Sequence, residues 1–206
     1  MTRSLAILGA GGHGRVVADS AVASGWDVTF FDDSRTGVVD GWTIAGVAAD
    51  FDRQAKAFDG AIVGIGNNRA RLDWSLRLQA AGVPLAIVID PASRVSTRAE
   101  IGAGSFLAAG CVVNIGAILG RACIINTAAT VDHDCQLGDG VHLSPGVHLS
   151  GTVSIGSCSW LGTAAAVRNN LRIGDNVIAG VGSVIVTEIS DGLVVAGVPA
   201  RPLEKT

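Results

Sequence analysis

The stretch LGRACI INTAAT VDHDCQ, residues 119–136, decides the fold. Each hexad opens on an aliphatic residue, Leu119, Ile125 or Val131, and carries a small one four places later, Cys123, Ala129 or Cys135. The count runs outward both ways without an insertion, from Ile89 to Ile185, and only Ala179 falls short of an aliphatic side chain. A six-residue period fits neither a helix, whose apolar face recurs at about 3.6, nor a single strand, where it recurs at about 2. Gly102, Gly120, Gly138, Gly156 and Gly174 each follow an aliphatic residue and lie eighteen apart, so three hexads make one turn. Each hexad then supplies a short strand and a corner, and stacked turns bury the aliphatic residues in one continuous interior. Glycine after the aliphatic residue is expected to provide a corner of positive φ. The pattern predicts a rigid three-sided prism over residues 89–206, ending in a C-terminal cap.

Bulk composition narrows the function. The chain of 206 residues is 49% hydrophobic, enough for a sizeable core. Its net charge of −3 and lack of a Lys/Arg run argue against a nucleic-acid surface. No uninterrupted apolar stretch approaches the length of a membrane span, and the apolar opening at residues 5–8 ends in glycines before it could form a signal core. A cytoplasmic protein without membrane contact is expected. Cys111, Cys123, Cys135 and Cys158 show no Cys-x-x-Cys spacing, and three occupy the small inward place, so buried reduced thiols are expected. No metal is expected either.

Residues 1–88 follow another pattern, strands alternating with helical stretches, as in a small Rossmann-like parallel α/β domain. A strand at 4–8 runs into Gly9-Ala10-Gly11-Gly12-His13-Gly14, then a helix at 15–24 and a strand at 28–31 closing on Asp32 and Asp33. A third apolar run, 61–65, ends at Gly66-Asn67-Asn68-Arg69 before another helix, and 83–89 is expected to complete the sheet. Gly9, Gly11 and Gly14 satisfy the dinucleotide fingerprint. Fewer than ninety residues provide one mononucleotide half, however, so a nucleotide-linked sugar fits better than NAD. Glycines let backbone approach a phosphate, and a helix N-terminus offers free N–H groups. A turn serving only packing, with Asp32 and Asp33 as solvated loop residues, is the plain alternative.

His133 stands at the third place of its hexad between Asp132 and Asp134, while Val131 and Cys135 take the inward places. The imidazole should therefore project from a corner with its cationic form stabilised, as suits a general base. Either carboxylate could orient it, and a surface histidine with acidic neighbours remains the plain reading. Gly151 falls one turn above, where a missing side chain leaves room. His142, nine residues on, belongs to a different part of the turn and is better placed to meet a second substrate than to touch His133. Trp160 projects outward, toward a ligand or a neighbouring copy.

Over nearly its whole length the chain resembles the hexapeptide-repeat sugar acetyltransferases. These are the enzymes of bacillosamine and perosamine biosynthesis and the sialic acid O-acetyltransferases, and the perosamine type is nearest. The resemblance rests on Gly-x-Gly-Gly-His-Gly, Asp-Asp after the second strand, Gly-x-Asn-Asn-Arg, Ile-Asn-Thr followed by His-Asp-Cys at 133–135, and Gly-Val-Pro-Ala-Arg at 197–201. It implies a left-handed parallel β-helix, a homotrimer with sites between prisms, and acetyl transfer from acetyl-CoA to a UDP- or GDP-linked deoxyamino sugar. By the same resemblance His133 is the base, Asp134 its acidic partner, Asn126 the active-site amide and Gly151 N–H the oxyanion donor. Gly11, Gly12, His13, Gly14, Arg15, Asp32, Asp33, Gly66, Asn67 and Arg69 would hold the nucleotide sugar. His142, Gly151, Gly162, Gly180, Pro199 and Arg201 would hold acetyl-CoA. Transfer to a sugar hydroxyl, or a noncatalytic nucleotide-sugar scaffold, are the competing readings. A zinc site of the carbonic anhydrase kind would leave the front domain without a purpose.

Overall fold

The computed structural model describes residues 2–203. The chain begins with β1 (Arg3–Leu8), α1 (Gly12–Ala23), β2 (Trp26–Phe31), β3 (Gly37–Val39), β4 (Trp42–Ile44), α2 (Ala48–Gln54), β5 (Gly60–Val63) and α3 (Asn68–Ala80). These strands form one sheet in the order β3-β4-β2-β1-β5, with β1 parallel to both β2 and β5. Central β1 is covered on both faces, which is why it reads as an unbroken apolar run. Leu5 and Ile7 pack with Val17, Ala18 and Ala21 of α1, whereas Ala6 and Leu8 pack with Phe51 and Leu78 on the other side. Gly9 takes the turn after β1 with φ +104°, and Gly14 lies so close to the Gly9 carbonyl that no Cβ fits. Two of the three fingerprint glycines thus serve the strand-to-helix joint itself.

Two front elements differ from expectation. The hairpin of β3 and β4 turns on Asp40 and Gly41, both at positive φ (47° and 90°), and α2 follows it. The segment 83–89 does not complete the sheet. Only Leu85 bridges to Ala61, and Val88–Ile89 pairs instead with Phe106–Leu107 as the first rung of the coil.

From Val88 onward, two-residue strands pair in parallel with the strand eighteen residues later, as Ile124–Ile125 does with His142–Leu143. They stack into three sheets. The first face holds 106–107, 124–125, 142–143, 160–161 and 178–179. The second holds 112–113, 130–131, 148–149 and 166–167, and the third 118–119, 136–137, 154–155 and 172–173. The aliphatic series from Leu107 to Ile185 and the small series from Ser105 to Ala165 are buried, and most of them form one core running up the axis. All four cysteines are free and buried, with Cys111 and Cys123 pushed up to about 12 by burial. Phe106 and Ile124 on the first face join the α1 cluster, so the α/β unit sits on that face. The last strands of the described residues are the antiparallel pair Val194–Gly197 and Ala200–Pro202.

The glycines after the aliphatic residues do not have positive φ. That conformation belongs to the residue two places further on, including Gly104, Ala122, Gly140 and Cys158 along one edge. Gly120 and Gly138 are required because a Cβ would reach 2.6 Å from Asp139 N and 2.7 Å from Ser157 N of the next turn. Close stacking of turns, rather than corner torsion, sets their identity.

Candidate active site

His133 projects from the edge between the second and third faces. Asp134 follows it in the left-handed conformation (φ 58°), which aspartate tolerates, and its Oδ2 lies 2.9 Å from His133 Nδ1. Asp132 plays a different part, because its Oδ1 accepts from the His133 backbone N–H and from Asn114 Nδ2, both at 2.8 Å. The ring is therefore oriented by Asp134. Its pKa is raised: the bond to Asp134 is the largest cause, burial opposes it, and the charges of Asp132 and then Asp134 add to the rise. The imidazole covers Gly151, where a Cβ would come 2.5 Å from Cε1 and Nε2. Among the described residues nothing accepts a hydrogen bond from Gly151 N–H, so a donor lies free beneath the exposed ring.

His142 occupies the first face, half a turn from His133, in a different setting. It lines a cavity of about 500 Å³ with Gly66, Asn67, Arg69, Trp160 and Asn176, and no Asp or Glu lines that cavity. Trp160 stacks on the ring at 6.2 Å between centroids and donates from Nε1 to Ser144 Oγ at 2.7 Å. Asn126 fixes the tautomer. Its Oδ1 accepts from Thr127 N–H at 2.8 Å, which turns Nδ2 toward His142 Nε2 at 3.3 Å. That ring nitrogen must accept, so the network assigns the proton to Nδ1. Burial, then the Arg71 charge, then His13 hold His142 down to about 3. His13 reaches the same cluster from α1, 6.4 Å from the His142 ring and edge-on to Phe106 at 5.6 Å. Among the described residues its buried Nε2 has no hydrogen-bond partner, and burial, then the Arg71 charge, lower the His13 pKa to about 4.

The nucleotide-sugar set is divided among three places. Asp32 and Asp33 border a cleft of about 180 Å³ beside Gly9, but both carboxylates are engaged with the protein. Asp32 Oδ2 accepts from Ala10 N–H at 2.6 Å, and Oδ1 accepts from Ser34 and Arg35. Burial raises its pKa, yet those bonds outweigh it and the net shift is downward. Asp33 caps α2 by accepting from Ala48 N–H at 2.9 Å. Gly12 and Arg15 line a second cleft of about 470 Å³, where Arg15 pairs with Asp40 of the hairpin. Gly11 and Gly12 open the first turn of α1, with nothing near where a Cβ would stand. Gly66, Asn67 and Arg69 lie apart from both, in the His142 cavity.

The acetyl-CoA set is spread along the coil. A Cβ on Gly162 would meet Ala179 O at 2.8 Å, and one on Gly180 would meet Ala196 Cβ at 3.0 Å, so stacking alone explains both glycines. Pro199 lies between the two terminal strands, and Arg201 is exposed, with Nη1 donating to Ala200 O at 2.9 Å. His148 stands on the second face, where Nδ1 meets Thr130 Oγ1 at 2.9 Å, so the three prism histidines diverge. Sequence reasoning missed Arg71 and Asn68. The available signal was register, since Arg71, Ser75 and Leu78 fall on the buried face of α3.

The fold as a whole recurs in known proteins. Residues 4–78 match the family described as PglD N-terminal domain. The acetyltransferase domain of PglB from Neisseria gonorrhoeae is 44% identical with a TM-score of 0.95, covering 98% of this chain and 100% of that one. PerB from Caulobacter crescentus, solved in complex with CoA and GDP-perosamine, is 34% identical with a TM-score of 0.94, covering 98% and 97%. A UDP-N-acetylglucosamine O-acyltransferase of Thiobacillus denitrificans, which uses acyl-carrier protein, is 28% identical over 113 residues, or 52% of this chain. The chain spans less than half the length of the curated relatives it matches, 44% of that protein and 26% of the galactoside O-acetyltransferase of Escherichia coli. Full-length likeness to two acetyltransferases places the coil in the class of left-handed parallel β-helix acetyltransferases. Within that class, the chain belongs to the sugar acetyltransferase family of the PglD, PglB and perosamine N-acetyltransferase type.

Proposed function

We propose that the chain is an acetyl-CoA-dependent N-acetyltransferase acting on the amino group of a UDP- or GDP-linked deoxyamino sugar. The observation that carries this reading is the His133–Asp134 pair standing over the free N–H of Gly151. His133 accepts the proton as the sugar amine attacks the thioester carbonyl. A C–N bond forms, the C–S bond breaks, and the proton passes on to the departing CoA sulfur. Asp134 holds the ring and favours the imidazolium, and Gly151 N–H donates to the oxygen that becomes negative. Direct transfer needs no acyl-enzyme, since holding both substrates together supplies much of the acceleration. Residues 1–88 hold the nucleotide sugar, with Gly11, Gly12 and Gly14 shaping the loop and Asp33 keeping one carboxylate oxygen for base or ribose. Residues 89–206 hold acetyl-CoA, with His142 at the thioester end and Arg201 toward the phosphates.

The working form is a cytoplasmic homotrimer. In one copy His133 lies on the edge remote from the face that carries His142, so a complete site needs the edge of one prism against the cavity side of the next. Exposed Ile115 and Ile118 near the His133 edge, and Trp160, Ile178 and Val181 near the cavity, supply apolar surface for that contact. Among the described residues no helix is long and apolar enough to cross a membrane.

Free-thiol release with acetyl-CoA and a panel of UDP-, GDP- and CMP-linked amino and hydroxy sugars tests the activity. Release dependent on a nucleotide-linked amine is expected. Release with hydroxy sugars alone would replace it with O-acetylation, and binding without release would leave a scaffold.

A further inference from the structure

The turn from β5 into α3, residues 65–69, borders two cavities at once. Ile65 lines the cleft of about 180 Å³ beside Asp32 and Asp33, together with Trp74 of α3. Gly66, Asn67, Asn68 and Arg69 line the cavity of about 500 Å³ that holds His142. One short segment is thus a wall of both places.

On the side of the sheet this wall is tightly anchored. Gly64 N–H donates to Leu8 O at 2.8 Å, and a Cβ on Gly64 would come 2.8 Å from Gly14 Cα and 2.9 Å from Gly9 O. Past Gly64 that support ends, because among the described residues no backbone N–H donates to the carbonyl of Ile65 or Gly66. Both accept instead from Arg71 Nη1, each at 3.1 Å. Arg71 is 1% exposed and forms no ion pair with a carboxylate of the described residues, so its remaining donors must also find neutral oxygens. Nε donates to Ala122 O at 2.8 Å, and Nη2 donates to Gly140 O at 2.9 Å and Asn68 Oδ1 at 3.0 Å. Ala122 and Gly140 stand one turn apart on the edge between the third and first faces, and no backbone N–H of the described residues uses either carbonyl. One guanidinium therefore ties the wall to two successive turns of the coil.

Well-packed apolar side chains would join α3 to the coil at least as stably as a buried charge. What the guanidinium adds is geometry. Its five donors lie in one rigid plane, so the two carbonyls it grips on the wall are held at a fixed place relative to the two it grips on the coil. A lysine ammonium offers three rotatable donors and no such template.

We infer that Arg71 is a positioning residue for both substrates, because by holding Ile65 and Gly66 against the coil it sets the wall that the cleft beside Asp33 and the His142 cavity share. This inference rests on the proposed assignment of those two places to a nucleotide sugar and to acetyl-CoA.

Calorimetric binding of UDP, GDP and CoA, each alone and without turnover, tests it. The wild-type protein should bind CoA and one of the nucleotides, and Arg71→Lys should weaken both by about tenfold. In steady-state assays the same variant should raise both KM values and leave kcat at saturation nearly unchanged, as loss of uniform binding does. Arg121→Gln is the structural comparison. Arg121 pairs with Asp139 on the same edge and donates from Nη1 to Gln79 Oε1 at 3.4 Å near the other end of α3, so its loss should lower the melting temperature without changing either affinity. Wild-type affinities in folded Arg71→Lys, loss at one site alone, or equal loss in Arg121→Gln would each overturn the inference. Should Arg71→Lys fail to fold, the guanidinium nitrogen resonances of wild-type Arg71 decide, since the nucleotide and CoA added separately should each move Nη1, and silence toward either overturns it. A wild-type protein that binds neither nucleotide nor CoA would instead refute the proposed function, and the inference with it.

Discussion

His133 and His142 are nine residues apart on one scaffold, half a turn of coil, and the protein shifts their pKa values in opposite directions. His133 stands exposed on an edge between two carboxylates, which raise its pKa. His142 is half-buried on a face that meets α3, where burial and Arg71 lower it to about 3. A regular coil accommodates this contrast readily, because outward residues do not contribute to its core and can be chosen for what each edge or face meets. The edge is suited to accepting a proton and the face to donating a fixed hydrogen bond.

The largest effect should come from removing the edge imidazole. His133→Ala is expected to reduce kcat by about 10²–10⁴-fold with the fold intact, whereas His142→Gln should mainly raise KM for acetyl-CoA. Steady-state kinetics against each substrate distinguishes these outcomes, and a His133→Ala enzyme within tenfold of wild type would erase the contrast. Asp134→Asn comes next, at about tenfold in kcat, since general-base efficiency depends on basicity and a held ring. Losing that carboxylate disfavours the imidazolium, so the acid limb of the rate profile should move to lower pH. Asp132→Asn should move it less, because Asp132 bonds the backbone rather than the ring.

The edge was legible in the sequence and the face was not. Hexad counting places His133 outward by elimination, since Val131 and Cys135 must point in, and it places Gly151 one turn above. Nothing in that count tells which face the α/β unit covers, so His13, Arg71 and His142 could not be brought together. Arg71 is an arginine in the apolar stripe of a short helix, and its acceptors are main-chain carbonyls, which leave no trace in composition. Asp40-Gly41 between Val38-Val39 and Trp42 was a readable hairpin signal. The glycines at 102, 120 and 138 were readable as a pattern, but their cause is a neighbour eighteen residues away, visible only once turns are stacked.

Stability against pH should show the same opposition. His142 and His13 have folded values of about 3 and 4, below the ordinary 6.5, so the unfolded chain binds more protons between those limits. Stability should therefore fall as pH drops from 6.5 toward 4, by at most about 1.4 kcal/mol per pH unit for each ring. His133, whose folded value is raised, contributes with the opposite sign, and that contribution is lost as pH rises through its folded value. Denaturant melts at a series of pH values should give a shallower acid slope for His142→Gln than for wild type. An identical slope would mean that the face imidazole is free to take a proton.

The smallest test compares the backbone of the two edges. Beside His133, the left-handed corner places are taken by Asp134 and by Thr152 (φ 60°), a β-branched residue whose N–H donates to His133 O at 2.9 Å. On the edge held by Arg71 the same place is Gly140 (φ 69°), where a Cβ would lie 3.3 Å from Cys158 Sγ and 3.4 Å from Asn68 O. Thr152→Gly should stabilise the protein by about 0.5–1 kcal/mol, and Gly140→Ala should destabilise it by at least about 1 kcal/mol. If Thr152→Gly gains stability but loses rate, the strained corner holds the His133 carbonyl and ring in place. A gain with no loss of rate would leave Asp134 as the sole support of the ring.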